Sequence, residues 1–414
     1  MLLCLTGASG AGKSTVLRYL QDVDWGQAVT CVEFDSIGVP DGADTAWRHS
    51  AIEQWVQRAL DAQARGEHLF LFGQVPMGEL LAAPSAERVE DIAVCMLHCS
   101  GEVRSARLRA RGGPEESLIH HVRFGDWFLA HTLDATHAPE VIRVPSATPM
   151  RWDRWHGWSP GDSRWTAHVI DTDALVPHDV ARQVETWARA QLVLNLPEDT
   201  SHRGVESLMR DAGWESCGAG DWAIALAAPS GEVVARISPF DPVGPYTARL
   251  YREAAGTGRV PAIYAHRRLA GGGDVQILEK LTAVGADEAA LFLKRLTSGD
   301  AELSELAAIT ASLHRDAQRE LPWCGPLDSN PSNVMRTRSG RLVLTDPYYA
   351  DGPSLYATAE AHPEIVAGRI PAGERRCMTA IPLACSGPWS LDDREAMREA
   401  LAREDARAET RARS

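Results

Sequence analysis

Gly7-Ala8-Ser9-Gly10-Ala11-Gly12-Lys13-Ser14-Thr15 satisfies the pattern G-x-x-x-x-G-K-[ST], a phosphate-binding loop. The residues before it, MLLCLT at 1–6, are a short apolar run that predicts a buried strand, and residues 16–20 continue as a helix. Gly7, Gly10 and Gly12 let the backbone turn tightly with its N–H groups pointing inward. The helix N-terminus adds partial positive charge. In such a loop Lys13 reaches the β- and γ-phosphates of a nucleoside triphosphate, and Ser14, next to Thr15, holds Mg²⁺. ATP and Mg²⁺ are therefore the expected ligands.

Outward from this loop, apolar strands alternate with helices. Residues 29–34 (VTCVEF), 68–72, 91–98 (DIAVCMLH) and 167–170 (AHVI) read as strands. Residues 47–64, with Ile52, Trp55, Val56 and Leu60 on one face, and 102–111 read as helices. This is the pattern of a doubly wound parallel sheet, an α/β domain. Ligands of such sheets sit at the carboxyl ends of strands, where Asp35, Gln74 and Asp171 fall. Between 112 and 165 the alternation stops, and Trp127, Trp152, Trp155, Trp158 and Trp165 crowd a polar stretch. It predicts a long insertion with two compatible readings, a small satellite core and a lid or acceptor pocket with aromatic walls. A helix over 180–194 closes the domain, residues 195–201 (NLPEDTS) form a linker, and a second domain covers 202–414.

The chain has 414 residues and a formal net charge of −14. Two domains are the natural expectation at that length, and the acidic balance disfavours nucleic-acid or anionic-membrane partners. The first strand starts at Met1, so no signal peptide is expected, and no apolar run is long enough to span a bilayer. Eight cysteines without a C-x-x-C pair fit reduced thiols and a cytoplasmic location.

Arg107-Leu108-Arg109-Ala110-Arg111 follows the fourth strand, and no Asn-Lys-x-Asp motif of GTPases is present. In this the first domain resembles the P-loop small-molecule and nucleoside kinases of the gluconate or shikimate kinase type. The resemblance implies that Arg107 lies near the base and Arg111 near the transferring phosphoryl group, work that suits a planar guanidinium. It also implies that Asp35 accepts the proton of an acceptor hydroxyl, with Glu33 the rival if the strand ends sooner. Gln74 either holds the acceptor or structures its loop, and Asp171-Thr172 borders adenine.

Beyond the linker, residues 222–226 and 233–237 read as strands joined at Ser230-Gly231, 205–212 and 246–255 as helices, and 262–266 and 275–278 as further strands. A helix over 301–317 and a hairpin over 334–345 turning at Ser339-Gly340 follow. The last helix starts at Ser390 with Asp393 in a capping box, and the charged tail after Glu404 is expected to fray. Leu313-His314, Asp328-Ser329-Asn330-Pro331-Ser332-Asn333 and Leu344-Thr345-Asp346-Pro347 form a second constellation. It resembles the protein kinase and aminoglycoside phosphotransferase superfamily, an α+β fold. The resemblance implies Asp328 as the group that deprotonates an acceptor hydroxyl, and Asn333 and Asp346 as Mg²⁺ ligands. Arg236 would take the place of the phosphate-binding lysine with Glu253 as its ion-pair partner. Glu279 would lie in the hinge that meets adenine. Cys217-Gly218-Ala219-Gly220 offers a short glycine-rich loop. Arg236 for lysine and Pro326 for the usual histidine depart from the family's pattern. The overall expectation is an ATP-dependent phosphotransferase with two nucleotide sites acting on a small-molecule or nucleoside hydroxyl. A P-loop ATPase switch with a pseudokinase, or a polynucleotide 5′-kinase, are the alternatives.

Overall fold

The structure, a computed structural model, describes residues 1–158, 162, 164–220, 223–380 and 390–413. The chain divides into two compact units, Met1–Asn195 and Leu196–Ser414.

The first unit is built on a parallel sheet of β1 (Leu2–Thr6), β2 (Val29–Glu33), β3 (His68–Phe72), β4 (Ile92–His98) and β5 (Ala167–Asp171), in the order β2-β3-β1-β4-β5. All five residues of β1 are buried, as its central place requires, and each buried Leu there stabilises by about 1.5–3 kcal/mol. Helices α1 (Lys13–Leu20), α2 (Thr45–Ala64), α3 (Met77–Ala82), α4 (Gly101–Ala110), α5 (Glu115–Leu133) and α6 (Pro177–Val193) surround it. Helix α2 starts two residues before the expected point, because the Asp44 side chain caps it by accepting from the Trp47 N–H. Its buried face carries Ile52, Trp55 and Val56.

The insertion is more regular than its sequence suggests. Helix α5 fills its first part, with His131, Phe128 and Leu118 buried. Trp155 and Trp165 are buried, and their indole N–H groups donate to the carbonyls of Gly78 and Thr132. The five tryptophans pack as a satellite core, and among the described residues the tryptophan lining the cleft beside the P-loop is Trp47 of α2.

The second unit holds an antiparallel sheet of β6 (Glu215–Ala219), β7 (Ile224–Ala227), β8 (Val233–Ser238), β9 (Ile263–Leu269) and β10 (Gly273–Glu279), ordered β6-β7-β8-β10-β9. Trp222, expected to open β7, lies outside the described residues. A smaller sheet joins β11 (Thr282–Ala283), β12 (Val334–Arg336) and β13 (Leu342–Leu344); the hairpin pairs Val334 with Leu344. Helices α7 (His202–Asp211), α8 (Gly244–Glu253), α9 (Ala286–Thr297), α10 (Ser304–Glu320), α11 (Gly352–Ala361), α12 (Pro363–Arg369), α13 (Ala372–Ala380) and α14 (Leu391–Arg413) complete it. Ser390 and Asp393 do form the expected cap. The charged tail expected to fray after Glu404 is helical instead: α14 runs to Arg413, and Asp405 pairs with Arg375 at 2.5 Å.

Candidate active site

The P-loop glycines occupy backbone conformations that side chains resist. Gly7, Gly10 and Gly12 have φ of 144°, 86° and 107°. A Cβ on Gly7 would sit 2.4 Å from the Leu97 carbonyl oxygen, a backbone atom with little freedom to move. Lys13 opens α1 and folds back on the loop, its Nζ donating to the carbonyls of Gly7 (2.7 Å) and Ala8 (3.1 Å). Burial, then the Arg104 charge, pushes its ammonium down to about 8 against the pull of Asp35. A cation held in this way lacks a strong counter-charge, and phosphate would supply one.

The Ser14 hydroxyl donates to Glu33 Oε1 at 2.8 Å. Strand β2 stops at Glu33, and Phe34–Ile37 forms a 3-10 turn rather than extending the strand. Phe34 is buried, and its carbonyl accepts from the Trp55 indole at 3.0 Å. The strand thus ends sooner than expected, at the rival carboxylate: Glu33 and Asp35 both stand exposed on a cleft of about 490 Å³, with Glu33 bonded to the P-loop serine. Lys13, Ser14, Gln74 and Arg111 also line that cleft. Gln74 Oε1 accepts from the Ser9 hydroxyl at 3.4 Å. Thr15 Oγ1 accepts from Arg18 at 3.4 Å, away from that lining.

The arginines of α4 divide their work. Arg107 donates to the Thr172 hydroxyl (2.8 Å) and carbonyl (2.7 Å), tying α4 to the loop after β5. Asp171 ends β5 and accepts from the Asp173 N–H at 2.9 Å. Arg111 stays exposed on the cleft, near Lys13. Sequence reasoning missed Arg104, which is fully buried and donates to the carbonyls of Ser9 (2.9 Å) and Cys99 (3.0 Å). Its place one helical turn before Arg107 was a signal. So was Gly125, whose missing side chain leaves room for the guanidinium: a Cβ there would lie 2.4 Å from it.

Asp44, Trp47 and Arg48, at the start of α2, also line the cleft. Arg48 grips Glu79 with two hydrogen bonds, 2.6 and 2.5 Å. Glu79 is 0% exposed and Arg48 16%. His49, also buried, lies 3.4 Å from the same carboxylate, with its ring nitrogens bonded to the Ile142 carbonyl and Ser146 hydroxyl at 3.0 Å each.

In the second unit a cleft of about 1000 Å³ gathers Cys217–Ala219 of β6, Arg236 of β8, Glu279 of β10, and Asp328, Asn333 and Asp346. Asp328 accepts from the Asn330 N–H (2.9 Å) and from Asn333 Nδ2 (2.8 Å), and Asn333 Nδ2 also reaches the Asp346 carbonyl at 3.2 Å. The hairpin thus brings these three together. Asp346 has φ of 41°, unusual for a residue with a side chain, and its Oδ1 is buried with no partner among the described residues. Its Oδ2 accepts from Arg236 Nε at 2.9 Å, while Arg236 Nη1 donates to Asp241 Oδ2 at 3.0 Å. Although burial opposes it, the charges of Asp346 and Asp241 raise the Arg236 pKa and keep the guanidinium charged.

Glu253 is not the partner of Arg236. It lies on the exposed side of α8 and pairs with Arg249, one turn back, at 3.1 Å. Tyr251 faces inward instead, its hydroxyl accepting from the Asp346 N–H at 3.0 Å, and Asp241 supplies the second carboxylate. Residues 217–219 are strand rather than loop. Glu279 uses Oε1 to accept from the Ala262 N–H at 2.9 Å, which leaves it part of the cleft wall, and burial raises its carboxyl pKa. His314 bonds the Gly325 carbonyl at 2.7 Å and stacks on Tyr348.

Residues 3–120 match a family model described as AAA domain. No curated protein matches. The crystal structure of a protein designated APE1195 is similar at 15% identity with a TM-score of 0.30, over 46% of this chain and 95% of that one.

Proposed function

We propose that the first unit, whose P-loop domain matches a nucleotide-binding family model, is an ATP-dependent kinase that phosphorylates a hydroxyl of a small molecule or nucleoside. The observation that carries this reading is the pair of carboxylates at the end of β2: both line the cleft with Arg111, Glu33 is engaged by the Ser14 hydroxyl, and Asp35 is the one left to an acceptor. The loop N–H groups and Lys13 fit the phosphates, and Ser14 with Glu33 fits Mg²⁺. Bound Mg·ATP supplies the electrophilic γ-phosphoryl group. Lys13 moves its hydrogen bonds from the loop carbonyls to phosphate oxygens. Asp35 orients the acceptor hydroxyl and takes its proton on a carboxylate oxygen. Arg111 offsets the charge that spreads over the transferring group. Asp35→Asn should lower acceptor-dependent ADP release by about 10²–10⁴-fold with ATP affinity nearly unchanged. Turnover close to wild type in Asp35→Asn, with the loss appearing in Glu33→Gln alone, would transfer the role to Glu33.

For the second unit we propose a protein kinase-like nucleotide site, with Asp328 facing the acceptor and Asn333 and Asp346 as the Mg²⁺ ligands. The unpartnered Asp346 Oδ1 supports this. The Arg236–Asp346 pair favours a second reading, a nucleotide-binding module that does not turn over, because the guanidinium holds the carboxylate a metal would need. Transfer by a Lys13→Ala protein that depends on Asp328 would decide for catalysis.

A further inference from the structure

We infer that the acceptor of the P-loop site is an uncharged or cationic hydroxyl compound, and that Glu79 sets this preference by neutralising Arg48. The inference rests on the kinase reading of that site. Besides Lys13 and Arg111, which that reading assigns to the phosphates, Arg48 is the remaining cation among the described residues lining the cleft. An anionic acceptor would have to recruit it. Both Glu79 oxygens already hold Arg48, in a planar two-bond pair. Glu79 is fully buried, so releasing Arg48 to a ligand would strand a carboxylate away from water. His49 offers little replacement: both ring nitrogens are engaged by the Ile142 carbonyl and the Ser146 hydroxyl.

What remains open to an acceptor is of opposite character. Asp35 and Asp44 are exposed on the cleft, and Gln74 adds an amide. Asp44 uses one oxygen to cap α2. Hydroxyl and ammonium groups are the donors such carboxylates take. Trp47 adds an aromatic wall, against which the apolar face of a ring or an ammonium group can rest. Hydroxylated rings, with or without amino groups, fit this surface; their phosphorylated or carboxylated counterparts do not.

The test uses the full chain with its P-loop filled by the non-hydrolysable Mg·AMP-PNP, whose binding is verified first by calorimetry. Absence of that binding would bring down the nucleotide reading itself, before any acceptor is considered. Sulfate is then titrated as the anion probe. Wild type should show no saturable sulfate site, and Glu79→Gln, which frees Arg48, should gain one at least about tenfold tighter. Arg48→Met added to Glu79→Gln should abolish the gain. Equal sulfate binding in wild type and Glu79→Gln would overturn the inference, as would a folded Glu79→Gln that gains nothing. Should Glu79→Gln not fold, the wild-type enzyme decides through acceptor-dependent ADP release from glucose, glucosamine and gluconate. Gluconate as the best of the three would overturn the inference; glucose or glucosamine as the best would support it.

Discussion

Replacing Arg236 by alanine should move stability and metal affinity in opposite directions. The guanidinium bridges Asp241 and Asp346 at 3.0 and 2.9 Å, and the side chains are 17%, 5% and 33% exposed. Breaking a fully buried pair by removing one partner costs about 3–5 kcal/mol. Partial exposure of Arg236 and Asp346 lets water screen part of this, so a loss of about 2–3 kcal/mol is expected. In a unit of this size that lowers the melting transition by about 4–12 °C. The same substitution frees Asp346 Oδ2, beside an Oδ1 that already has no partner, so Mn²⁺ binding without nucleotide should strengthen by at least about tenfold, as read by paramagnetic resonance. Asp346→Ala in the Arg236→Ala background should remove that gain. A protein that loses stability yet binds Mn²⁺ no better than wild type would refute the reasoning, because Arg236 would then not occupy a metal's position.

Other outcomes follow from the first unit. Phosphate should restore the charge of Lys13, whose ammonium burial holds near 8, so Mg·ATP binding at pH 8.5 should take up protons. Calorimetry in two buffers of different ionisation enthalpy reads this, and equal heats would contradict it. His131 is buried, and burial lowers its pKa to about 4. The unfolded chain therefore binds this proton first as pH falls, and stability should drop between about pH 6.5 and 4, by up to ~3 kcal/mol. His131→Gln should flatten that limb of a denaturation series, and an unchanged slope would reject the assignment. Gly125→Ala should push Arg104 off the Ser9 carbonyl and weaken ATP affinity more than it lowers the melting temperature; a change in stability alone would make Arg104 a packing residue.

The P-loop was legible because its chemistry is local: glycine spacing, a lysine and a flanking strand and helix lie within twenty residues. The carboxyl-end positions of Asp35 and Gln74 were legible for the same reason, since strand ends can be read from apolar runs. What the sequence hid depends on tertiary packing. Asp35 sits in the 3-10 turn that follows the strand, where the buried Phe34 accepts from the Trp55 indole. Arg104 and Arg107 look alike in sequence, yet the Arg104 guanidinium is buried in the space left at Gly125 while Arg107 reaches the loop after β5. Helix α5 escaped notice because its indole and imidazole faces pack on a satellite core rather than showing a simple apolar stripe. Glu253 was misassigned by a helical phase: Tyr251, two residues earlier, takes the inward direction, and Asp241 from the preceding turn reaches Arg236.

The central claim is that the P-loop cleft binds Mg·ATP through Lys13. Its most direct test is calorimetric titration of ATP, with and without Mg²⁺, into the Asp346→Ala protein, which removes the metal ligand proposed for the second unit, and into the same protein carrying Lys13→Ala. A single Mg²⁺-dependent site in the first, lost or weakened by orders of magnitude in the second, is the expected result. Equal affinity and stoichiometry in both folded proteins would contradict it.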